Sequence, residues 1–279
     1  MDGKPLRLRE QVHAVIRVNH YSVRTEKTYW YWIRYFIRFH QMKHPKDMGP
    51  REVNEFLTWL AVHRNVAAAT QAQALNALVF LYGKVLDKPL GEIGEVIRSK
   101  KPRKLPVVLT HEEAMRIIGE LRHPDHLIAS LMYGAGLRVT EACRLRIKDL
   151  DFNQQIITVR DGKGAKDRTT LLPGTLIAEL KDHVDNICKS WKQKDPEFQH
   201  PVSLPHALSR KYPNAEHSLE WQWLFSSLSL SSDNLGKVTR HHRHITSVQR
   251  SVRNAVKQAG IGKPAGCHTF RHTFATELL

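Results

Sequence analysis

The chain has 279 residues, 41% of them hydrophobic, with Lys+Arg 43 against Asp+Glu 27 and a formal net charge of +16. That length buries one large core or two modest ones, and the basic excess favours a polyanionic partner, nucleic acid before membrane, since no amphipathic anchor or lipidation signal accompanies it. Three scattered cysteines, Cys143, Cys188 and Cys267, exclude a disulfide framework and a paired zinc motif, and no apolar run reaches membrane-spanning length, so a cytoplasmic protein without membrane contact is expected.

Residues 1–87 are helical in pattern. Leu6, Val12, Val15 and Ile16 begin one helix, and TEKTYWYWIRYFIRFHQ from Thr25 makes a long second one. Its aromatics Tyr29, Trp30, Trp32, Phe36 and Phe39 are too many for one narrow stripe, so several must meet neighbouring helices while Lys27, Arg34 and Arg38 face outward. A third helix starts near Pro50 and a fourth near Thr70, giving a small four-helix module that reads by itself as a dimerising bundle or as part of a larger assembly set by its family. Residues 88–107 then lose periodicity. Lys101, Arg103 and Lys104, broken by Pro102 and Pro106, suit an extended basic linker that neutralises phosphates, or an ordinary solvated one.

The second domain, 108–279, opens with Thr110 capping a helix and Glu113 three residues on. HPDHLIASLMY is the next helix. It breaks in GAGLRVTEACRLR, and Arg138 opens the following helix, where its fork of donors and the positive helix terminus both suit one phosphate. Glu141, one turn on, either orients that guanidinium or is a simple surface charge. Strands are expected at 155–160 and 168–172, with Gly162 to Arg168 as a hairpin turn that carries Lys163 and Lys166. A long amphipathic helix runs to about Lys192. Residues 195–220 form an insert with a short helix around His206 to Lys211, then WQWLF as a strand. A helix from Val248 ends at Gly260, and HTFRHTFATELL places His268 and Arg271 on one helix face, with Phe270 and Phe274 toward the core. The fold class is thus mainly α with a small antiparallel sheet.

An arginine at a helix start, a lysine hairpin and a downstream H-x-x-R, in that order over the last two thirds of the chain, resemble the tyrosine recombinases, or phage-type integrases. The resemblance implies that residues 1–87 are a helical SAM-like core-binding domain that clamps one face of DNA, followed by an α+β catalytic domain, with no cofactor and a tetramer on DNA. It implies that Arg138 and Arg271 stabilise charge on a phosphoryl group, with His268 as hydrogen-bonding or acid-base partner and Lys163 as the acid for the departing 5′ oxygen; Lys166 fits the family pattern less well. Such chemistry conserves phosphodiester energy through a covalent intermediate and needs no ATP.

Ala207 to Ala215 (ALSRKYPNA) and Arg240 to His242 (RHH) are similar to the integron integrase branch. That likeness implies gene-cassette integration and excision at a duplex site and at a folded single-stranded site, with Lys211, Trp221, Arg240, His241 and His242 gripping DNA and unstacked bases. Trp221 and Trp223 read equally well as core strand residues, and Ser226 stands where the family usually has proline. His241, His242 and His244 lack cysteine and carboxylate partners at ligand spacing, so no metal is expected.

The family's nucleophilic tyrosine follows its H-x-x-R, whereas Tyr21, Tyr29, Tyr31, Tyr35, Tyr82, Tyr133 and Tyr212 all precede Arg271. A truncated recombinase, inactive as given, is therefore expected. A DNA-binding regulator or decoy without catalysis, and an ordinary chromosomal or phage recombinase, stay as alternatives.

Overall fold

The computed structural model describes residues 6–97, 106–160, 166–204, 206–232 and 236–277. The chain divides into two units, Met1–Lys104 and Leu105–Leu279. Among the described residues it is mostly helical with two small antiparallel sheets.

The first unit is built from α1 (Leu8–Val18), α2 (Val23–Phe39), α3 (Pro50–Val62) and α4 (Ala68–Phe80), the last running into a π-helical turn, Leu81–Val85. Local signals set the boundaries. Ser22 Oγ accepts from Thr25 N at 3.1 Å to start α2. Pro50 takes the first turn of α3, and Glu52 reaches back to accept from Gly49 N at 2.7 Å. Trp32, Ile33 and Phe36 of α2 are buried against Phe56, Leu57 and Leu60 of α3 and Ala74, Ala77 and Leu78 of α4. Tyr82 is fully buried, and its hydroxyl donates to Pro45 O at 3.0 Å; burial pushes its phenol pKa above the ordinary value. Residues 88–97 are extended yet held on this unit. Asn54 Nδ2 donates to Ile93 O at 2.8 Å, Gln71 Nε2 donates to Ile97 O at 2.8 Å, and Leu90, Ile93 and Val96 pack on the helical core.

The second unit begins with α5 (His111–Gly119), capped reciprocally by Thr110 and Glu113, and continues through α6 (Asp125–Gly134) and the short α7 (Val139–Cys143). β1 (Leu150–Asp151), β2 (Ile156–Val159) and β3 (Arg168–Leu171) form an antiparallel sheet in that order, with Ile157 opposite Thr170 and Val159 opposite Arg168. Next come α8 (Ile177–Lys192), α9 (His206–Lys211), the hairpin strands β4 (Ser226–Ser232) and β5 (Val238–His242), α10 (Ile245–Gln258) and α11 (Cys267–Glu277).

One expectation about the insert needs correction, and two strands beside it were not foreseen. WQWLF is not a strand: Leu219–Trp221 is a 3-10 turn, Trp223 makes one isolated bridge to Arg146, and the strand starts only at Ser226. Buried contacts override strand propensity there, because Gln222 is turned inward and its carbonyl accepts from Ile147 N at 3.1 Å. The serine-rich β4 and its partner β5 gave no strand signal, since β4 leaves Leu228 and Leu230 exposed and shows no buried alternate face.

What aims the arginines is the join between α6, α7 and α11. Phe270 and Thr273 are buried on α11; Thr273 Oγ1 accepts from Leu109 N at 3.0 Å and donates to Thr269 O at 2.9 Å. Gly136, between α6 and α7, has φ +62°, and a Cβ there would stand 2.4 Å from the Phe274 ring. Gly136→Ala should therefore destabilise the second unit by about 3 kcal/mol, from left-handed backbone strain plus overpacking. Gly119→Ala, with open space around its Cβ, should be neutral or gain about 0.5 kcal/mol. Urea unfolding of both variants checks the contrast; equal midpoints would contradict it.

Candidate functional site

Glu141 is the centre of the site. Its side chain is 6% exposed, yet it carries a carboxylate that three arginines from three elements approach. Arg138, at the start of α7, donates from its backbone N to Oε2 at 2.8 Å and from Nη1 to Oε1 at 2.7 Å. Arg168, the first residue of β3, donates from Nη2 to Oε2 at 2.9 Å. Arg271 on α11 lies 3.9 Å from Oε2 and donates to the carbonyl of Gly136. Burial alone would raise the Glu141 pKa; the Arg138 amide and guanidinium and the Arg168 charge outweigh it and hold the carboxyl below its ordinary value. Burial and the neighbouring Arg138 lower the Arg271 pKa, opposed by Glu141.

One carboxylate against three guanidiniums leaves net positive charge, and each arginine side chain keeps about a third of its surface exposed. A single anionic group with several oxygens satisfies that arrangement. The structure thus brings together Arg138, Glu141 and Arg271 and adds Arg168, which sequence reading had taken only as the end of a turn. Its signal was positional: register with Val159 puts Arg168 at the base of the lysine hairpin. His268 is exposed one turn before Arg271 on α11. Lys163 lies outside the described residues, as do Lys101, Arg103 and Lys104. Lys166 is exposed.

A second cluster lies at the insert. Arg146 is buried, donating to the carbonyls of Trp221 and, at 2.8 Å, Ser203, with its guanidinium 3.6 Å from the Trp223 ring centroid. Burial pushes its pKa down to about 10. Asp149 Oδ2 accepts from Arg146 N at 2.9 Å, and its Oδ1 accepts from Arg160 Nε at 2.8 Å. Beside this scaffold opens a cleft of about 730 Å³, walled by Trp221 and Tyr212 and rimmed by Lys148, Arg160 and Lys211. Tyr212 and Trp221 have ring centroids 6.4 Å apart. Burial, with Arg160 nearby, lowers the Lys148 pKa to about 8. Lys148, Arg160 and Tyr212 were not singled out from sequence, although Arg146 and Lys148 sit in or just after the arginine motif.

Of the expected insert contacts, Lys211 and Trp221 line this cleft. Arg240 does not reach a surface: it is 3% exposed, with its guanidinium 4.4 Å from the Phe198 ring centroid and its backbone bound to Pro201 and Ser203. In this structure Arg240 therefore presents almost no surface to a phosphate. His241 stacks on Trp223 with centroids 5.8 Å apart, and His242 Nδ1 donates to Arg243 O at 2.8 Å. Withdrawal from water, with Arg144 and Arg146 near, lowers the His241 pKa; burial lowers that of His242 to about 4. Among the described residues no group of three or more His, Cys, Asp or Glu side chains is arranged for a metal. No helix among them is long and apolar enough to cross a membrane.

In the first unit, Arg24, Lys27, Tyr31, Arg34 and Arg38 are exposed on α2. Their 3-4-3-4 spacing gathers them into one basic stripe opposite the buried face.

Histidine burial makes an acid-sensitive fold. His183 Nε2 donates to Leu224 O at 2.7 Å, so its Nδ1 bears the lone pair that accepts from His123 Nε2 at 3.0 Å; the His183 ring is neutral in this pairing. Burial lowers the His183 pKa, as it does that of His242. Folded values below the unfolded value of about 6.5 mean that the unfolded chain binds protons first. Stability should hold above pH about 6.5 and fall as pH drops towards about 4. Glu141, with its depressed carboxyl, adds a loss only at lower pH still. Urea midpoints at pH 7.5, 6 and 5 test this, and a midpoint independent of pH would count against it.

The model of the phage integrase N-terminal SAM-like domain matches residues 8–92, and that of the phage integrase family matches residues 107–279. A curated integrase/recombinase of Escherichia coli is 46% identical over 277 residues, covering 99% of this chain and 82% of the relative, and one of Pseudomonas aeruginosa matches to the same extent. Among solved structures, the Tn1549 transposon integrase in complex with transposon right end DNA shares the fold at TM-score 0.62 and 16% identity, covering 98% of this chain and 86% of that one. XerH site-specific recombinase bound to palindromic difH substrate does so at TM-score 0.59 and 18% identity, covering 98% and 74%. With a family match across the whole arginine-bearing unit and a relative at 46% identity, the chain belongs to the phage integrase family, the tyrosine recombinases, which are DNA strand-exchange enzymes.

Proposed function

We propose that the chain is a DNA recombinase of the integron type, which holds one DNA phosphate between Arg138, Arg271 and His268 and receives unpaired bases at the insert. The observation that carries the first part is the convergence of Arg138, Arg168 and Arg271 on the buried carboxylate of Glu141. Fixed cations aimed at one point stabilise the charge that develops on nonbridging oxygens during in-line displacement at phosphorus. Glu141 holds the guanidiniums in place without neutralising them. His268, on the same helix as Arg271, donates a hydrogen bond or exchanges a proton with the phosphoryl group, and Lys163 protonates the departing 5′ oxygen. The bond made is between phosphorus and the nucleophile, and the bond broken is between phosphorus and the 5′ oxygen.

That nucleophile is not among the tyrosines of the arginine-bearing unit. Tyr133 donates to both carboxylate oxygens of Glu277 at 2.9 Å, and burial with Glu277 beside it pushes its pKa up to about 12. Tyr212 belongs to the insert cleft.

The integron part rests on the insert: its ALSRKYPNA stretch builds one wall of an aromatic and basic cleft. A base extruded from a folded strand offers a π-face that stacks without regard to sequence. Acting on gene cassettes at a duplex site and at folded single strands, as a tetramer on DNA in the cytoplasm, completes this reading. The basic linker, with Lys101, Arg103 and Lys104, would add phosphate contacts.

Binding to hairpin oligonucleotides with extrahelical bases should be about tenfold tighter than to a fully paired duplex of equal length. Equal affinities would favour an ordinary duplex recombinase. Arg138→Ala should abolish strand exchange with only modest loss of DNA binding. If binding alone changes and exchange is never seen, the reading as a regulator or decoy is the better one. Each Lys27, Arg34 or Arg38→Gln change should lower the slope of log affinity against log salt by about 1 where that side chain meets a phosphate.

A further inference from the structure

The Trp221 cleft holds an internal occupant. Lys148 Nζ lies 2.8 Å from the centroid of the Trp221 ring, and both side chains line the cleft. Among the described residues the Lys148 ammonium has neither a hydrogen bond nor an ion pair, so the indole face is its specific partner. Arg146 is placed differently. It sits 3.6 Å from the Trp223 centroid and 5.3 Å from that of Trp221, and it is fixed by the carbonyls of Trp221 and Ser203. One cation is built into the scaffold and the other only rests on it.

We propose that Lys148 is a specificity-determining gate of this cleft: its ammonium covers the stacking face of Trp221, and only an unpaired nucleobase, with a full π-face to offer, displaces it. The inference rests on the reading that the cleft receives unstacked bases. A paired duplex presents no free π-face, so it leaves the ammonium in place. A sugar or an abasic unit brings phosphate charge but no ring, and gains nothing at the indole. The displaced ammonium moves to the open mouth of the cleft, where Arg160 repels it and Glu220 attracts it. The gate thus sets how much affinity an extruded base gains, because the lost contact between ammonium and indole is subtracted from base stacking while paired or abasic ligands leave it intact.

The experiment compares two hairpin oligonucleotides that are identical except that one carries an extrahelical adenosine and the other an abasic unit at the same position. Affinities are read by fluorescence anisotropy for the full 279-residue chain and its variants. Lys148→Ala should raise the ratio of base-bearing to abasic affinity about fivefold by tightening the base-bearing arm, and Lys148→Arg, which keeps a cation on the ring, should return the ratio to that of the parent. Wild-type protein gives a second reading that needs no variant. Between pH 7 and pH 9 the Lys148 ammonium, flanked by Arg160, Arg146, Asp149 and Glu220 and titrating near about 8, loses its proton. The ratio should therefore rise in the parent and stay flat in Lys148→Ala. An equal loss of affinity in both arms of Lys148→Ala would overturn the gate and make Lys148 a phosphate contact. A base-dependent ratio that ignores both the substitution and pH would overturn the gate and leave the base-accepting cleft standing. If parent and variant alike bind the two oligonucleotides equally, the cleft reading itself falls.

Discussion

A single buried carboxylate organises the arginine-bearing unit. Glu141 is folded inward by the short α7 and would be costly there alone, since an isolated ion deprived of water is strongly unfavourable. Its cost is offset by charge-assisted hydrogen bonds from the Arg138 amide and guanidinium and from Arg168. The consequence runs outward along three elements. The helix start, the sheet and the C-terminal helix are each tied to one oxygen pair, so the positions of three guanidiniums are correlated. A charge clamp assembled in this way is fixed before any ligand arrives, which is the condition under which fixed charges lower a barrier.

The insert uses the opposite arrangement. Its organising charge is a cation, Arg146, enclosed by Trp221, Trp223 and the carbonyls of Trp221 and Ser203. Indole faces and carbonyl dipoles take the place of a counter-ion, with Asp149 bound to the backbone of the same residue. The two centres are only eight positions apart in sequence, at Arg138 and Arg146, so one short helix serves both. Displacing α7 would disturb the arginine cluster and the aromatic cleft together.

Much of this was legible in the residues. The arginine at the helix start, the H-x-x-R face and the hairpin all rest on strong local signals: a glycine break, a three-residue spacing, and glycines flanking a lysine. Gly136 shows why the break matters, since Phe274 closes over it from a helix more than a hundred residues away. Arg168 was not legible, because a residue at the end of a turn has no periodicity to reveal its partner, and Glu141 read as well as a surface charge as a hub. WQWLF misled for the reverse reason. Alternating tryptophans imitate a strand, but here they alternate because one of them encloses a cation and the other edges a cleft, with Gln222 bonded inward between them.

Arg240 carries the same point to its end. In sequence it is one more basic residue beside two histidines in a chain of charge +16, and charge alone assigns it to DNA. Burial bears on that assignment: Arg240 is 3% exposed on β5, with its guanidinium over the Phe198 ring. Net charge therefore predicts the class of partner but not which cation meets it. That is decided by burial: Arg146 is enclosed by indole faces and carbonyls and Arg240 lies buried over a phenyl ring, whereas Arg138, Arg168 and Arg271 share one anion among three and keep a third of their surface turned to solvent.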